Sequence, residues 1–457
     1  MIPADPALTV ASDPPAMKTR RIVVIGRTDV GRRVCSLLSA SGIEVVHLHE
    51  PSDADVRTEL GKEIDGVAVM LHDDIKALRY GLMVHHIRPD VRLFVAMFDR
   101  TARAQLRETV PGCVVLSPAA ISVPAMVAGA IYPEVDAIRR ASTPEVSEWV
   151  AVKNRGKEGA SIEAFRTPDS VKMRGLLGRL AGQFRPYDSG TRVLLGGGAG
   201  LIAIICADTL VGLGHANFLR ALYDATRTTA TISAPPLPDE PWLLVWATLA
   251  ALAVMCFTAM FAAGIVNYLL SGRHAAIFGR RVAPRFGHVI IVGMGQVGLR
   301  LAQELQALGV AVVGIEQNAN ARPLPIARNS GIPVLIGDGA SKAMLAAAGA
   351  QRAVALVAAG SEERDNIAVA VAALAASPQL RIVLRSGSDD AIEETRSLFR
   401  IGAVVDVNGL TAAFVAASLD DKSPYTIIPT PDGDMAIDEA GNATEFWPPH
   451  SLRCSCV

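Results

Sequence analysis

Hydrophobic positions along this chain follow two rhythms. Short Val/Ile runs such as IVVI at 22–25 and VIIV at 289–292 are each followed by a glycine turn and a stretch with apolar residues at helical spacing. Runs of that length, apolar on both faces, predict buried strands of a parallel sheet, with the amphipathic stretches as crossover helices. Between these regions stand two long apolar runs, Val193 to Leu213 and Trp242 to Leu270. Each exceeds the roughly 20 apolar residues a helix needs to cross a bilayer at about 1.5 Å per residue. The pattern therefore predicts two α/β domains flanking a two-helix membrane module.

Composition conceals this division, because the chain averages 50% hydrophobic and 19% charged residues with a net charge of −1. Charge placement is more informative. Lys172, Arg174, Arg179, Arg185 and Arg192 precede the first run, and Arg273, Arg280, Arg281 and Arg285 follow the second. The connector carries only Arg220 and Arg227, offset by Asp224, Asp239 and Glu240. The basic excess predicts that both termini are cytoplasmic in a multi-pass protein of the cell membrane. Met1 to Pro15 is rich in Pro, Asp and Ala, and the first apolar run is too short for a signal h-region, so no cleaved leader is expected. Within the first span, Gly196, Gly197, Gly198 and Gly200 permit close helix contact, and Asp208 is an intramembrane acid. The six cysteines have no ligand-like spacing with histidine and are expected as thiols rather than disulfides or metal ligands. Cys454 to Val457 matches a prenylation box only in length and cysteine position, since Ser455 is not aliphatic, and is expected to fray.

The α/β regions are duplicated. RIVVIGRTDVGRRVCSLLSASGIEVVHLHE (Arg21 to Glu50) matches HVIIVGMGQVGLRLAQELQALGVAVVGIEQ (His288 to Gln317) without a gap. RLFVAMF at 92–98 parallels RIVLRSG at 381–387, and the segment 112–128 parallels 402–418. Asp65 follows Glu50 by only fifteen positions, whereas Arg352 follows Glu316 by thirty-six, so the first copy is expected to lack one strand and helix. The expected boundaries are a disordered 1–20, a first α/β copy at 21–131, and an irregular adaptor at 132–190 with a strand pair near Trp149–Lys153 and Ser161–Phe165. The two spans with their connector take 191–271, the second copy 286–420, and a tail 421–457.

Gly293, Met294, Gly295, Gln296, Val297 and Gly298 stand between a strand and a helix in the second copy. The first glycine makes the tight turn, the second admits a pyrophosphate to the backbone, and the third lets the helix pack on the strand. Glu316 ends the next strand, where a carboxylate can accept both ribose hydroxyls; with Gln317 and Asp338 it completes the expected nucleotide site. An acid at that position disfavours a 2′-phosphate, so NAD(H) or another adenine nucleotide is the expected ligand. The first copy reads Gly26-Arg27-Thr28-Asp29-Val30-Gly31, with His49 in place of the acid, and is expected to have lost nucleotide binding and to serve as a structural or dimerising domain.

The second copy resembles the RCK (TrkA-N) domain, through GMGQVG, Glu316, Gly337-Asp338-Gly339-Ala340 and Arg364-Asp365-Asn366. Two spans joined to such a domain resemble a ligand-gated potassium channel. The resemblance implies outer helix, pore loop and inner helix, a homotetramer whose cytosolic ring pulls on the inner helices, and a monovalent cation and lipid bilayer as partners. Gly264 is then either a gating hinge or a helix-packing glycine. Ala221 to Ser233 resembles a pore helix running into a filter, but Thr229, Ala230, Thr231, Ile232 and Ser233 stand where the family has TVGYG. Thr228 and these residues would form a hydroxyl-rich passage without the two glycines whose backbone angles aim filter carbonyls, so altered or lost potassium selectivity is expected. The alternative is a non-conducting, membrane-anchored nucleotide sensor or regulatory subunit of a potassium transport system. No Cys/His or Tyr/Lys pair is spaced to act on a nicotinamide, so no enzyme activity is expected, and neither a metal nor a nucleic-acid partner is implied.

Overall fold

The computed structural model describes residues 20–141, 148–156, 159–167, 189–230, 240–270, 287–387, 402–430 and 433–446. They belong to two compact units, Met1–Lys172 with Phe286–Val457, and Met173–Arg285.

In the first unit, strands β1 (Arg21–Ile25), β2 (Glu44–Leu48), β3 (Gly66–Met70), β4 (Arg92–Ala96) and β5 (Val114–Leu116) form a parallel sheet in the order β2-β1-β3-β4-β5. Helices α1 (Asp29–Ala40) and α5 (Pro118–Ile131) cover one face, while α2 (Asp53–Leu60), α3 (Asp74–Ile87) and α4 (Arg100–Thr109) cover the other. Burial on both faces explains why the strands are continuous apolar runs rather than alternating ones. Cys113 is partly buried here, and desolvation pushes its thiol up to about 11, away from thiolate chemistry.

Antiparallel strands β6 (Ala137–Arg140), β7 (Trp149–Asn154) and β8 (Ala160–Ala164) follow. The region expected to be irregular with one strand pair thus contains a three-stranded meander.

The second compact unit contains α6 (Ser189–Gly212), α7 (Phe218–Thr229) and α8 (Pro241–Leu270). Val193–Gly212 and Pro241–Val266 are long and apolar enough to cross a membrane. Ile202, Leu210, Val245 and Met255 are each more than half exposed, an outward apolar belt that water would not stabilise. Small residues let the helices touch: a Cβ at Gly197 would stand 2.6 Å from Phe261 N, and one at Gly264 would stand 2.6 Å from Leu194 Cα. Helix α8 runs continuously through Gly264, which packs closely on Leu194 of α6.

The C-terminal part of the first unit begins with β9 (Val289–Val292), α9 (Gln296–Ala307), β10 (Val312–Glu316), α10 (Leu324–Asn329), β11 (Val334–Ile336) and α11 (Lys342–Ala348). These are followed by β12 (Ala355–Ala358), α12 (Glu363–Ala376), β13 (Arg381–Ser386), β14 (Ala403–Asp406) and α13 (Val407–Leu419). Their parallel sheet has the order β11-β10-β9-β12-β13-β14. Relative to it, the N-terminal sheet lacks the strand outside β2 and its following helix, as the shorter spacing predicts. Residues 426–446 form a second antiparallel meander, β15 (Thr426–Pro429), β16 (Asp434–Ile437) and β17 (Ala443–Phe446), where a tail was expected. These strands are too short and mixed to stand out in sequence. They persist because the two meanders bury Ala137 and Val152 against Ile428, Met435 and Ile437. Cys454 and Cys456 lie outside the described residues.

The two sheets share one core around a pseudo-two-fold relation: α1 packs on α13, α9 packs on α5, and α5 packs on α13. Arg92 at the start of β4 donates to Leu419 O (3.2 Å), and Arg381 at the start of β13 donates to Ala130 O (3.0 Å), each binding the end of the other half's central helix. Gly159 and Gly441 face each other as well, a Cβ on either meeting the opposite backbone carbonyl at 2.7 Å or 2.5 Å.

His288 is fully buried beside β9, its Nε2 lying 2.8 Å from Ala348 O and its Nδ1 without a partner. Desolvation lowers its pKa against the opposing pull of that carbonyl. The unfolded chain therefore takes up the proton first, so the stabilising effect of the neutral ring is complete above the unfolded value of about 6.5 and declines as pH falls below it. Thermal melts of the purified protein are expected to show a lower Tm at about pH 5.5 than at about pH 7.5, with a smaller difference in His288→Asn.

Candidate nucleotide site

Strand β9 ends in Gly293, whose φ of +89° is readily adopted only by glycine. A Cβ there would lie 2.7 Å from Gly360 N, so the ends of β9 and β12 approach closely. These neighbouring strands mark the topological switch point: from β9 the chain first builds outward through β10 and β11, then returns to β12 on the other side. A crevice at the carboxyl ends of such strands is where open α/β sheets take ligands.

Gly295 caps α9 with no side-chain hydrogen bond, and a Cβ added to it would meet nothing within 4 Å. The helix N-terminus therefore opens on free space, as an entering pyrophosphate requires. Gly298 does a different job, since its Cβ would stand 2.0 Å from Gly293 O. Met294 and Val297 turn their side chains into the core and offer the crevice only backbone, while Gln296 is exposed. Glu316 ends β10, with Oε2 accepting from Met294 N (2.8 Å) and Oε1 from Asn318 N (2.9 Å). This holds the carboxylate beside the glycine turn. Gln317 and Asp338 are exposed nearby in sequence at the ends of β10 and β11, and Asp338 Oδ1 accepts from Ala340 N (2.9 Å).

Two supporting residues fix the far side of the crevice. Buried Asn366 accepts from Gly360 N (2.9 Å) and donates to Gly360 O and Arg385 O (3.0 Å each), tying the ends of β12 and β13 together. Arg385 donates to Ala359 O (3.4 Å), and burial lowers its pKa while Asp406 opposes the shift. The role of Arg385 was not expected from sequence, although a second arginine late in the strand RIVLRS was the available signal.

The corresponding turn in the N-terminal half is closed. Thr28 stands where Gly295 stands in the other half, and its hydroxyl donates to Met70 O (2.9 Å) and accepts from Gly31 N (3.1 Å). That amide is one of those a phosphate would use. Buried His47, aligned with Gly314, lies with Nε2 2.9 Å from Gly26 O, sealing the turn from the sheet side. Asp29 pairs with Arg32 at the helix start, adding a carboxylate where a phosphate would approach.

Of the filter-like residues, Thr228 and Thr229 form the last turn of α7, with hydroxyls donating to Asp224 O and Ala225 O (2.9 Å each), and Ala230 caps the helix. Those two hydroxyls are engaged by their own helix. Thr231, Ile232 and Ser233 lie outside the described residues. Arg227 lies 5.5 Å from the Tyr223 ring centroid, and Asp208 accepts from Trp246 Nε1 (2.7 Å).

Residues 289–406 match the TrkA-N domain. The C-terminal α/β domain is therefore a TrkA-N domain. Among solved structures, the chain resembles the GsuK channel, with a TM-score of 0.50 and 14% identity over 89% of this chain and 64% of that one. The GsuK channel bound to NAD covers the same shares at 13% identity with a TM-score of 0.47. An uncharacterized protein of Methanothermus fervidus is 27% identical over 117 residues, which span 26% of this chain and 18% of that protein. The likeness to GsuK at this identity is one of fold.

The two glycines of the TrkA-N turn should separate cleanly. Gly298→Ala is expected to lower stability by roughly 1–3 kcal/mol, since the added methyl collides with backbone that cannot yield. Gly295→Ala should leave the unliganded Tm nearly unchanged, and a large loss in that variant would contradict the open helix terminus.

Proposed function

We propose that this protein is a channel-like membrane protein whose TrkA-N domain binds an adenine nucleotide, NAD(H) or a relative, and thereby regulates the membrane module. The observation that carries this reading is the open Gly293-to-Gly298 turn beside Glu316, in one chain with two helices apolar enough to span a bilayer. The acid favours free ribose hydroxyls, and the uncapped N-terminus of α9 suits a diphosphate. On the same reading the N-terminal half is a degenerate RCK-like partner that supplies an intramolecular domain pair without a second nucleotide. The protein is then non-enzymatic, a homotetramer in the cell membrane with both termini cytoplasmic, and it offers a passage to monovalent cations. The NAD bound to GsuK belongs to that protein, and NAD is the first ligand to test here.

Titration calorimetry on the full-length protein in detergent tests the ligand. NAD(H) should bind the TrkA-N crevice at one site per chain, Gly295→Val should abolish that binding by excluding the diphosphate, and Glu316→Ala should weaken it by roughly 1–3 kcal/mol. Binding that survives Gly295→Val would place the nucleotide elsewhere.

A second reading, a membrane-anchored sensor that does not conduct, is favoured by one feature: Thr229 to Ser233 contains no glycine, and the hydroxyls of Thr228 and Thr229 are held within a helix. Cation flux in liposomes, with and without nucleotide, discriminates between the two. Nucleotide-dependent flux with weak potassium preference is the expected result, with selectivity rising when Thr229 to Ser233 is replaced by TVGYG. Nucleotide binding without flux would favour the sensor, and wild-type currents reversing at the potassium equilibrium potential would refute the loss of selectivity.

A further inference from the structure

The pseudo-two-fold relation is broken at one charged position. Arg33 on α1 and Arg300 on α9 occupy the same place in the ungapped match between the two halves. Arg33 pairs with Asp406, the residue that ends β14 and caps α13. At the reciprocal strand end, β5 and the start of α5 carry Leu116 and Ser117, so Arg300 has no matching carboxylate. Its Nη2 pairs instead with Glu304 in its own helix (3.2 Å), and its Nε is buried without a hydrogen-bond partner. Glu304 also pairs with Arg140 (3.4 Å), which has a second partner in Glu148 (3.4 Å) where Arg300 has none among the described residues.

Arg300 and Arg140 both line a cleft of about 1100 Å³ between α5, β6, α9 and the second meander. Arg103 and Arg107 of α4 and Arg139 of β6 line it as well; of the seven basic side chains there, Arg92 is paired with Asp421 and Lys422 with Asp420. Part of the remainder is already held in place: Arg107 donates to Val115 O (2.8 Å), and the Arg139 guanidinium lies 3.8 Å from the Tyr425 ring centroid. Such groups are preorganised and partly desolvated, which strengthens their attraction for an anion.

We propose that this cleft is a second ligand site, specific for a small polyanion bearing two or more phosphate groups, and distinct from the crevice of the TrkA-N domain. The ligand supplies to Arg300 the negative charge that Asp406 supplies to Arg33 in the other half, with Arg140 beside it in the cleft. Because the cleft is bounded by both α/β halves, occupancy ties them together at a point where the protein itself provides no ion pair between Arg300 and the facing strand end.

The test uses the full-length protein carrying Gly295→Val, so that binding at the TrkA-N crevice does not contribute and failure of the nucleotide assignment leaves this result readable. Inorganic tripolyphosphate and ATP are titrated separately, with circular dichroism confirming the fold of each variant. Tripolyphosphate should bind saturably, with affinity falling about tenfold in Arg300→Gln and again in Arg140→Gln, each placed outside the nucleotide crevice. Tighter binding of ATP than of tripolyphosphate would identify a nucleoside phosphate as the ligand, and equal binding would identify the phosphate chain alone. Leu116→Asp, which recreates the carboxylate of the other half, should abolish binding in a folded protein. No saturable binding, or binding indifferent to both Arg300→Gln and Arg140→Gln, overturns the proposal.

Discussion

The α/β portion depends on one constraint, the burial of two helices that have no polar side. Pro118–Ile131 and Val407–Leu419 are apolar around nearly their whole circumference, and a single sheet can cover only one flank of each. They are stable only when packed against each other and against α9 and α1 of the opposite halves. The two sheets therefore merge into a continuous core rather than standing as separate domains. The arginines that bind Leu419 O and Ala130 O, and the facing glycines of the two meanders, complete the same reciprocal arrangement.

Within that symmetric frame the halves have diverged by side-chain chemistry at a few positions. An open turn at Gly295 and a carboxylate at Glu316 leave the amides of α9 available to a ligand. The N-terminal half satisfies equivalent groups internally through Thr28 and His47, with the hydroxyl of Thr28 occupying a donor that a phosphate would need. Such a turn gains local stability as a helix cap. The charge imbalance around Arg300 is the converse case, a position where the strand end facing it carries Leu116 instead of an acid and the group faces a cleft.

The membrane-like helices follow a different packing rule. Their contact is made by Gly197, Gly200 and Gly264 against backbone and aromatic rings, where side-chain interdigitation would hold the helices apart. Much of their remaining surface is apolar and exposed.

Residue order made much of this legible. The paired Val/Ile runs, the ungapped match between the halves, the shortened spacing after Glu50 and the length of the two apolar runs each follow from backbone periodicity, which a sequence carries directly. The glycine turn and Glu316 were legible for the same reason, because their chemistry depends on neighbours in the chain. The meanders were only partly visible, since strands of four to six residues become stable through contact with a partner far away in sequence. What Gly264 packs against, which amide Thr28 occupies, and that Arg33 finds Asp406 while Arg300 finds no equivalent acid were decided by tertiary structure. Each depends on what distant segments bring within a few ångströms, and no local pattern encodes that.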